Sequence, residues 1–124
     1  MKPQQKTFSL QQRVNSFRFA CDGLKQFFDQ EHNTRIHLAG TIAAAIAAWW
    51  FHIPAGELIA LVIVIGFVWA AEIFNTVIEK IMDHLSPDQH DEVRIIKDLS
   101  AGAVLIAALT ALGTGLIIFI PKFL

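Results

Sequence analysis

Glu72-Ile-Phe-Asn75-Thr-Val-Ile-Glu79-Lys-Ile-Met-Asp83 closes a long apolar run that begins near Leu58. At 3.6 residues per helical turn, positions 72, 75, 79 and 83 fall within an arc of roughly 80°. One stripe of this helix is therefore acidic and polar. Between them lie Ile73, Phe74, Val77, Ile78, Ile81 and Met82, which leave the other faces apolar. A charged group inside a membrane segment costs on the order of a few kcal/mol, and two carboxylates on one stripe also repel. The stripe must face protein or water, and a bound cation or a reaction explains it better than stability does.

Outward from this stripe, the helix is expected over residues 57–84, after the turn at Pro54-Ala-Gly56 and before the break at Ser86-Pro87-Asp88. Another membrane helix is expected over 34–53; its apolar stretch, Ile36 to Ile53, is at the short end for a membrane span. Its Gly40, Ala44 and Ala48 offer a small-residue face for helix approach, and Trp49, Trp50 and Phe51 end it as an interfacial belt does. A third membrane helix is expected over 92–120; its apolar part, Leu99 to Ile120, is interrupted only by small or hydroxyl residues before Pro121, and its glycines are expected to be packing sites. Ahead of all three, Leu10, Val14, Phe17, Cys21, Leu24 and Phe28 recur at three- and four-residue steps among charged residues. They define an amphipathic helix over 9–30, suited to the headgroup plane or to packing in a soluble core.

The totals agree with an all-α membrane protein. The chain has 124 residues, enough for one domain, and is 54% hydrophobic with 17% charged residues; its mean hydropathy is +0.48. A net charge of -1 with no arginine-rich run gives no reason to expect a nucleic-acid partner. Cys21 is the only cysteine, which rules out an intrachain disulfide and a Cys-based zinc site, and it is expected to be a small apolar filler. The polar, basic start of the chain does not read as a signal peptide.

Basic residues set the expected orientation. Lys2, Lys6, Arg13, Arg18, Lys25 and Arg35 precede the first span, and Lys80, Arg94 and Lys97 flank the 83–98 loop, whereas the first outer turn has none. The positive-inside rule then places the N-terminus and that loop in the cytosol. Glu72 lies roughly 21 Å from the outer end of its helix, against an apolar core about 30 Å thick. It can meet lipid headgroups while Glu79 and Asp83 reach water. Glu31, before the first span, and Lys97-Asp98, at the start of the third, are expected at the same level. Together with Glu72, Asn75 and Glu79 they would form a shallow pocket. Its carboxylates suit a hard cation such as Mg²⁺, its lysine suits phosphate, and Glu72 suits a general base towards a hydroxyl. No Walker A, GxGxxG or HRD/DFG sequence is present, so a familiar soluble nucleotide fold is not expected.

The chain resembles the small integral-membrane lipid kinases of bacteria, which comprise diacylglycerol kinase and undecaprenol kinase. The resemblance rests on Ala71-Glu72-Ile-Phe-Asn75-Thr76-Val-Ile-Glu79, on Asp83 and His90, on Lys97-Asp98-Leu-Ser-Ala-Gly-Ala-Val104 and on Glu31-His-Asn33-Thr-Arg35-Ile-His37. It covers nearly everything beyond about residue 10. It implies transfer of the ATP γ-phosphate to the hydroxyl of a membrane lipid by a homotrimer with shared sites in the bacterial cytoplasmic membrane. On this likeness Glu72 is the base and faces the lipid with Asn75. Glu31 and Glu79 hold the Mg²⁺ of Mg-ATP, and Asn75, Lys97 and Asp98 position nucleotide and phosphate. Phe19 stands where relatives often carry a tyrosine near the nucleotide, so ring stacking could remain without a hydroxyl contact. The Asn33-Thr-Arg-Ile-His37 joint and the Ile-Pro-Lys-Phe tail look more like the undecaprenol branch.

The histidines carry less. His32 and His37 are five residues apart, on different helix faces, and His52 sits by the outer turn; none of these spacings makes a metal pair. His84 and His90 belong to the cytosolic loop. A second class remains open, a small oligomeric transporter whose intramembrane carboxylate binds a proton or cation. Such a carboxylate belongs near the midplane, whereas these cluster at one end.

Overall fold

A computed structural model describes residues 3, 7–88 and 90–124. Lys2 and Lys6, counted above among the orienting charges, lie outside the described residues. The described residues form four helices, α1 (Leu10–Gln30), α2 (Asn33–Trp50), α3 (Ala55–Leu85) and α4 (Asp91–Phe123), with no strand among them. The chain divides into two compact units, residues 1–36 and 37–124.

In the first unit, Ser9 caps α1, its Oγ accepting the Gln12 N–H at 3.3 Å. The apolar stripe stays uncovered: Leu10, Val14, Phe17, Leu24 and Phe28 are all exposed. Cys21 on the same stripe is exposed too, so it fills no core. The buried aromatic is Phe27, one position off the stripe. At Glu31 the backbone turns extended, its N–H still donating to Phe27 O, and the Glu31 carbonyl accepts both the Thr34 N–H and the Thr34 hydroxyl. Thr34, 2% exposed, thereby fastens the joint into α2.

The end of α2 departs from the expected residue 53. His52 adopts φ 50°, its N–H donates to Trp49 O, and the Ile53 N–H reaches back to Ala48 O. These two bonds are a Schellman closure, with a histidine in the left-handed position that glycine usually takes. Ile53 then folds against Ala48, which is buried with Leu61 and Ile118. Of the expected small-residue face, Ala44 and Ala48 pack in this cluster, whereas Gly40 is exposed with nothing near it. Pro54 caps α3, and the Leu58 N–H donates to its carbonyl, so Gly56 lies in the first helical turn and not in the expected tight turn.

Helices α3 and α4 are long and apolar enough to cross a membrane. Their 31 and 33 residues extend for about 46 and 50 Å, well beyond an apolar core of about 30 Å. Helix α2 is shorter: after the polar start through His37, its apolar part runs only from Leu38 to Trp50.

The break after Leu85 makes α3 and α4 antiparallel neighbours. It forms because Pro87 disfavours a helical Ser86, which sits at φ -142°, ψ 80°. Three side-chain contacts record the register. Lys122 Nζ meets Glu57 Oε2 at 2.8 Å at one end, Lys97 Nζ meets Asp83 Oδ1 at 2.5 Å at the other, and Ser100 Oγ donates to Asn75 Oδ1 at 2.7 Å between them, nearer the Asp83 end. The inner face of α4 presents Val93, Ser100 and Ala107, spaced by seven residues or about two turns, and later Ile118. Pro121 does not stop α4: the helix continues to Phe123, and Lys122 reaches back to Ile118 O at 3.0 Å.

The glycines of α4 do not act as packing sites within the chain. A β-carbon at Gly102, Gly113 or Gly115 would meet nothing within 4 Å. Ala107, 0% exposed, has the tight position instead. Ala107→Leu forces three extra carbons into this face and is expected to destabilise by about 1–3 kcal/mol. A lower thermal unfolding midpoint in detergent, beside a Gly102→Ala control whose midpoint does not fall, is the check.

Candidate active site

Along the polar stripe of α3, exposure rises with residue number. Glu72 is buried at 8%, Asn75 is half-buried, and Glu79 and Asp83 are exposed. A carboxylate is kept inside only with a partner. That partner is His37, whose Nε2 lies 2.5 Å from Glu72 Oε1. With Glu72 as a carboxylate the imidazole is the donor of this bond, and with Glu72 protonated the roles can reverse.

A second rung lies one turn further along both helices. Trp69 Nε1 donates to Thr41 Oγ1 at 3.0 Å, and that hydroxyl donates to the His37 carbonyl at 2.8 Å. The Trp69 ring stands edge-on to the imidazole with centroids 6.0 Å apart. Thus α2 and α3 run antiparallel at this level, joined by two polar rungs in an otherwise apolar setting.

The other expected site residues are distributed differently. Asn75 uses its carbonyl oxygen on Ser100, which leaves its NH₂ group available. Lys97 uses one of three ammonium donors on Asp83. Asp98 is exposed and borders a shallow groove with Ile95, Leu99, Gly102, Ala103 and Ile106. Among Glu72, Asn75, Glu79, Lys97 and Asp98, no hydrogen bond or ion pair joins any two. Glu31 sits at the C-cap of α1, and Phe19 is exposed midway along that helix. His90 is the N-cap of α4 without a side-chain cap bond, and His84 lies in the last turn of α3.

The described residues contain no cluster of three His, Cys, Asp or Glu side chains able to cage a metal. Mg²⁺ does not need one. It keeps much of its hydration and is commonly held by one or two carboxylates together with substrate phosphates. An exposed Glu79 fits that requirement, because among the described residues its oxygens meet no other side chain.

His37, which in the sequence belongs to the Glu31–His37 joint and makes no metal pair with His32, is the partner of Glu72. The usable signal was a histidine within the first helical turns of an apolar segment, where a polar ring also needs a partner.

The fold and site define an all-helical protein with two helices long and apolar enough to cross a membrane and a buried acid–histidine pair between α2 and the middle of α3. Residues 18–119 match the family model of prokaryotic diacylglycerol kinase, a match that runs across both units. The chain belongs to this family, and with it to the lipid kinases of bacterial membranes. It is 34% identical over 110 residues to a diacylglycerol kinase of Synechocystis, covering 88% of this chain but only 63% of that protein. An undecaprenol kinase of Bacillus subtilis is 31% identical over 107 residues, with 86% and 87% of the two chains covered. A diacylglycerol kinase of Escherichia coli is 27% identical over 110 residues, covering 89% and 90%. Membership in a kinase family implies a nucleotide phosphoryl donor and a divalent metal.

Proposed function

We propose that the chain, acting as a single kinase domain, phosphorylates the hydroxyl of a membrane lipid, undecaprenol or diacylglycerol, from Mg-ATP at the cytosolic face of the membrane. The observation that carries this reading is the gradient along α3: a buried, histidine-paired Glu72 at the apolar level, then exposed Glu79 and Asp83 on the same stripe. Such a stripe lets a lipid hydroxyl and a water-borne nucleotide meet at one place. Glu72 takes the hydroxyl proton on its free Oε2 as the lipid oxygen bonds to the γ-phosphorus. The bond from that phosphorus to the bridging β-oxygen breaks, and ADP leaves. Mg²⁺, when bound with ATP, neutralises charge on the β- and γ-phosphates.

Asn75, beside Glu72 on the stripe, uses its free NH₂ group to orient the lipid oxygen or a phosphate. On the family likeness, Glu31 and Glu79 would each offer a carboxylate to the metal. Lys97, with donors to spare, and Asp98 position the phosphates, and Phe19 offers a ring to the nucleotide. Helix α2 serves as a third, short membrane segment ending in the exposed Trp49 and Trp50, and α1 lies on the surface with its uncovered phenylalanines in the headgroups. The open apolar faces and open glycines of α4 suit lipid or further copies of the chain, in line with a homotrimer sharing sites. Family membership removes the transporter reading. Between the two lipids, the Ile-Pro-Lys-Phe tail favours undecaprenol.

Purified protein in lipid-free detergent is expected to hydrolyse or transfer little ATP, and to turn over when a lipid alcohol is added. Comparing undecaprenol with diacylglycerol at equal mole fraction identifies the acceptor. Failure of both lipids to raise ADP formation overturns the reading.

A further inference from the structure

We propose that His37 is a positioning residue for the phosphoryl transfer, holding Glu72 in the one orientation that leaves Oε2 free for the lipid hydroxyl. The proposal rests on the reading of Glu72 as base. Three observations support it. First, Glu72 is buried, and His37 Nε2 at 2.5 Å from Oε1 is the hydrogen-bond partner of its side chain among the described residues. With Oε1 on the imidazole, Oε2 is the oxygen that has no hydrogen-bond partner among the described residues and is open to the lipid hydroxyl. Second, His37 is itself held from two sides. Its ring meets the edge of Trp69, and its carbonyl receives the Thr41 hydroxyl that in turn accepts from Trp69. The imidazole is therefore placed by α3 as well as by its own helix. Third, the two rungs bring Glu72 and its holder from different helices, so the carboxylate's rotamer follows the α2–α3 contact and not α3 alone.

Such a role predicts a particular kinetic signature. A carboxylate free to swing loses the aligned geometry of in-line attack, and a misplacement of about 1 Å can cost 10²-fold. His37→Phe keeps a flat ring against Trp69 but has no donor, and is expected to lower kcat on the order of 10- to 100-fold. The KM for Mg-ATP should stay unchanged, because the nucleotide is held elsewhere. His37→Gln restores an N–H donor at about the same reach and should recover part of the loss. If Glu72 and His37 act as a unit, His37→Phe adds nothing once Glu72→Gln is present.

The experiment measures kcat and KM for Mg-ATP and for the lipid alcohol in His37→Phe, His37→Gln, Glu72→Gln and the double variant, with elution profile and thermal midpoint beside them. A kcat loss in His37→Phe that Gln partly recovers, together with no further loss in the double variant, supports the assignment. Wild-type kcat in His37→Phe, or a loss that multiplies with that of Glu72→Gln, overturns it while leaving Glu72 as base. Wild-type kcat in Glu72→Gln instead removes the base itself. If His37→Phe does not fold, His37→Gln decides the matter: near-wild-type kcat supports the donor role, and a kcat as low as that of Glu72→Gln in a folded protein overturns it.

Discussion

Glu72→Gln lowers lipid phosphorylation by about 10²–10⁴-fold, the range that general-base catalysis commonly contributes. The substitution keeps side-chain shape and keeps an acceptor oxygen for His37, so the α2–α3 rung at 2.5 Å survives. What it removes is the oxygen that can hold a proton. Nucleotide binding should persist, because Glu72 is buried at the apolar level, whereas Glu79, Lys97 and Asp98, assigned to metal and phosphate, lie further along α3 and on α4, and Glu31 and Phe19 belong to α1. Turnover and ATP binding measured in one detergent preparation check this. Loss of both together moves Glu72 into the metal site, and near-normal turnover on either lipid takes it out of the mechanism.

Glu31→Gln and Glu79→Gln should act on the metal instead. Each substitution exchanges a charged oxygen donor for a neutral one towards a hard cation. Loss of even an outer partner of a bound metal typically costs 10–100-fold in affinity, and a direct donor should cost at least about that much. The expected result is a rise in the Mg²⁺ concentration needed for half-maximal activity on the order of 10- to 100-fold, with activity partly regained at high Mg²⁺. A titration of activity against Mg²⁺ at fixed ATP separates this from the effect of Glu72→Gln, which added metal should not rescue. Wild-type activity of both variants at limiting Mg²⁺ defeats the metal assignment.

Periodicity carried much of the helical architecture because each long helix has an uninterrupted local signal. The acidic stripe within the apolar run of α3 was visible for the same reason: residues 72, 75, 79 and 83 share a face whatever they pack against. Boundaries were less legible where a tertiary contact decides them. The end of α2 at Trp50 depends on His52 accepting a left-handed backbone so that Ile53 can pack on Ala48. The run of α4 through Pro121 to Phe123 goes with a lysine that reaches a carbonyl and a distant glutamate. The pairings of the site were not legible at all. Nothing local in His37, Ser100 or Asp83 says that their partners are Glu72, Asn75 and Lys97, since sequence separations of 35, 25 and 14 residues leave no periodic trace.

The α3–α4 hairpin also works as a gauge. Its contacts at Glu57–Lys122, Asn75–Ser100 and Asp83–Lys97 sit at three heights, so a slip of one helical turn, about 5.4 Å, separates all three at once. From Asp83 down to Glu72 is eleven residues, or about 16 Å of helix rise. That spacing is covalent, and the matching contacts on α4 index it against the second helix. A single-residue insertion between them turns every later side chain by about 100° and shifts it by about 1.5 Å. A lengthened version of this protein can therefore keep its register only by inserting in the 86–90 loop, beyond the helix ends, or in both helices at matched heights.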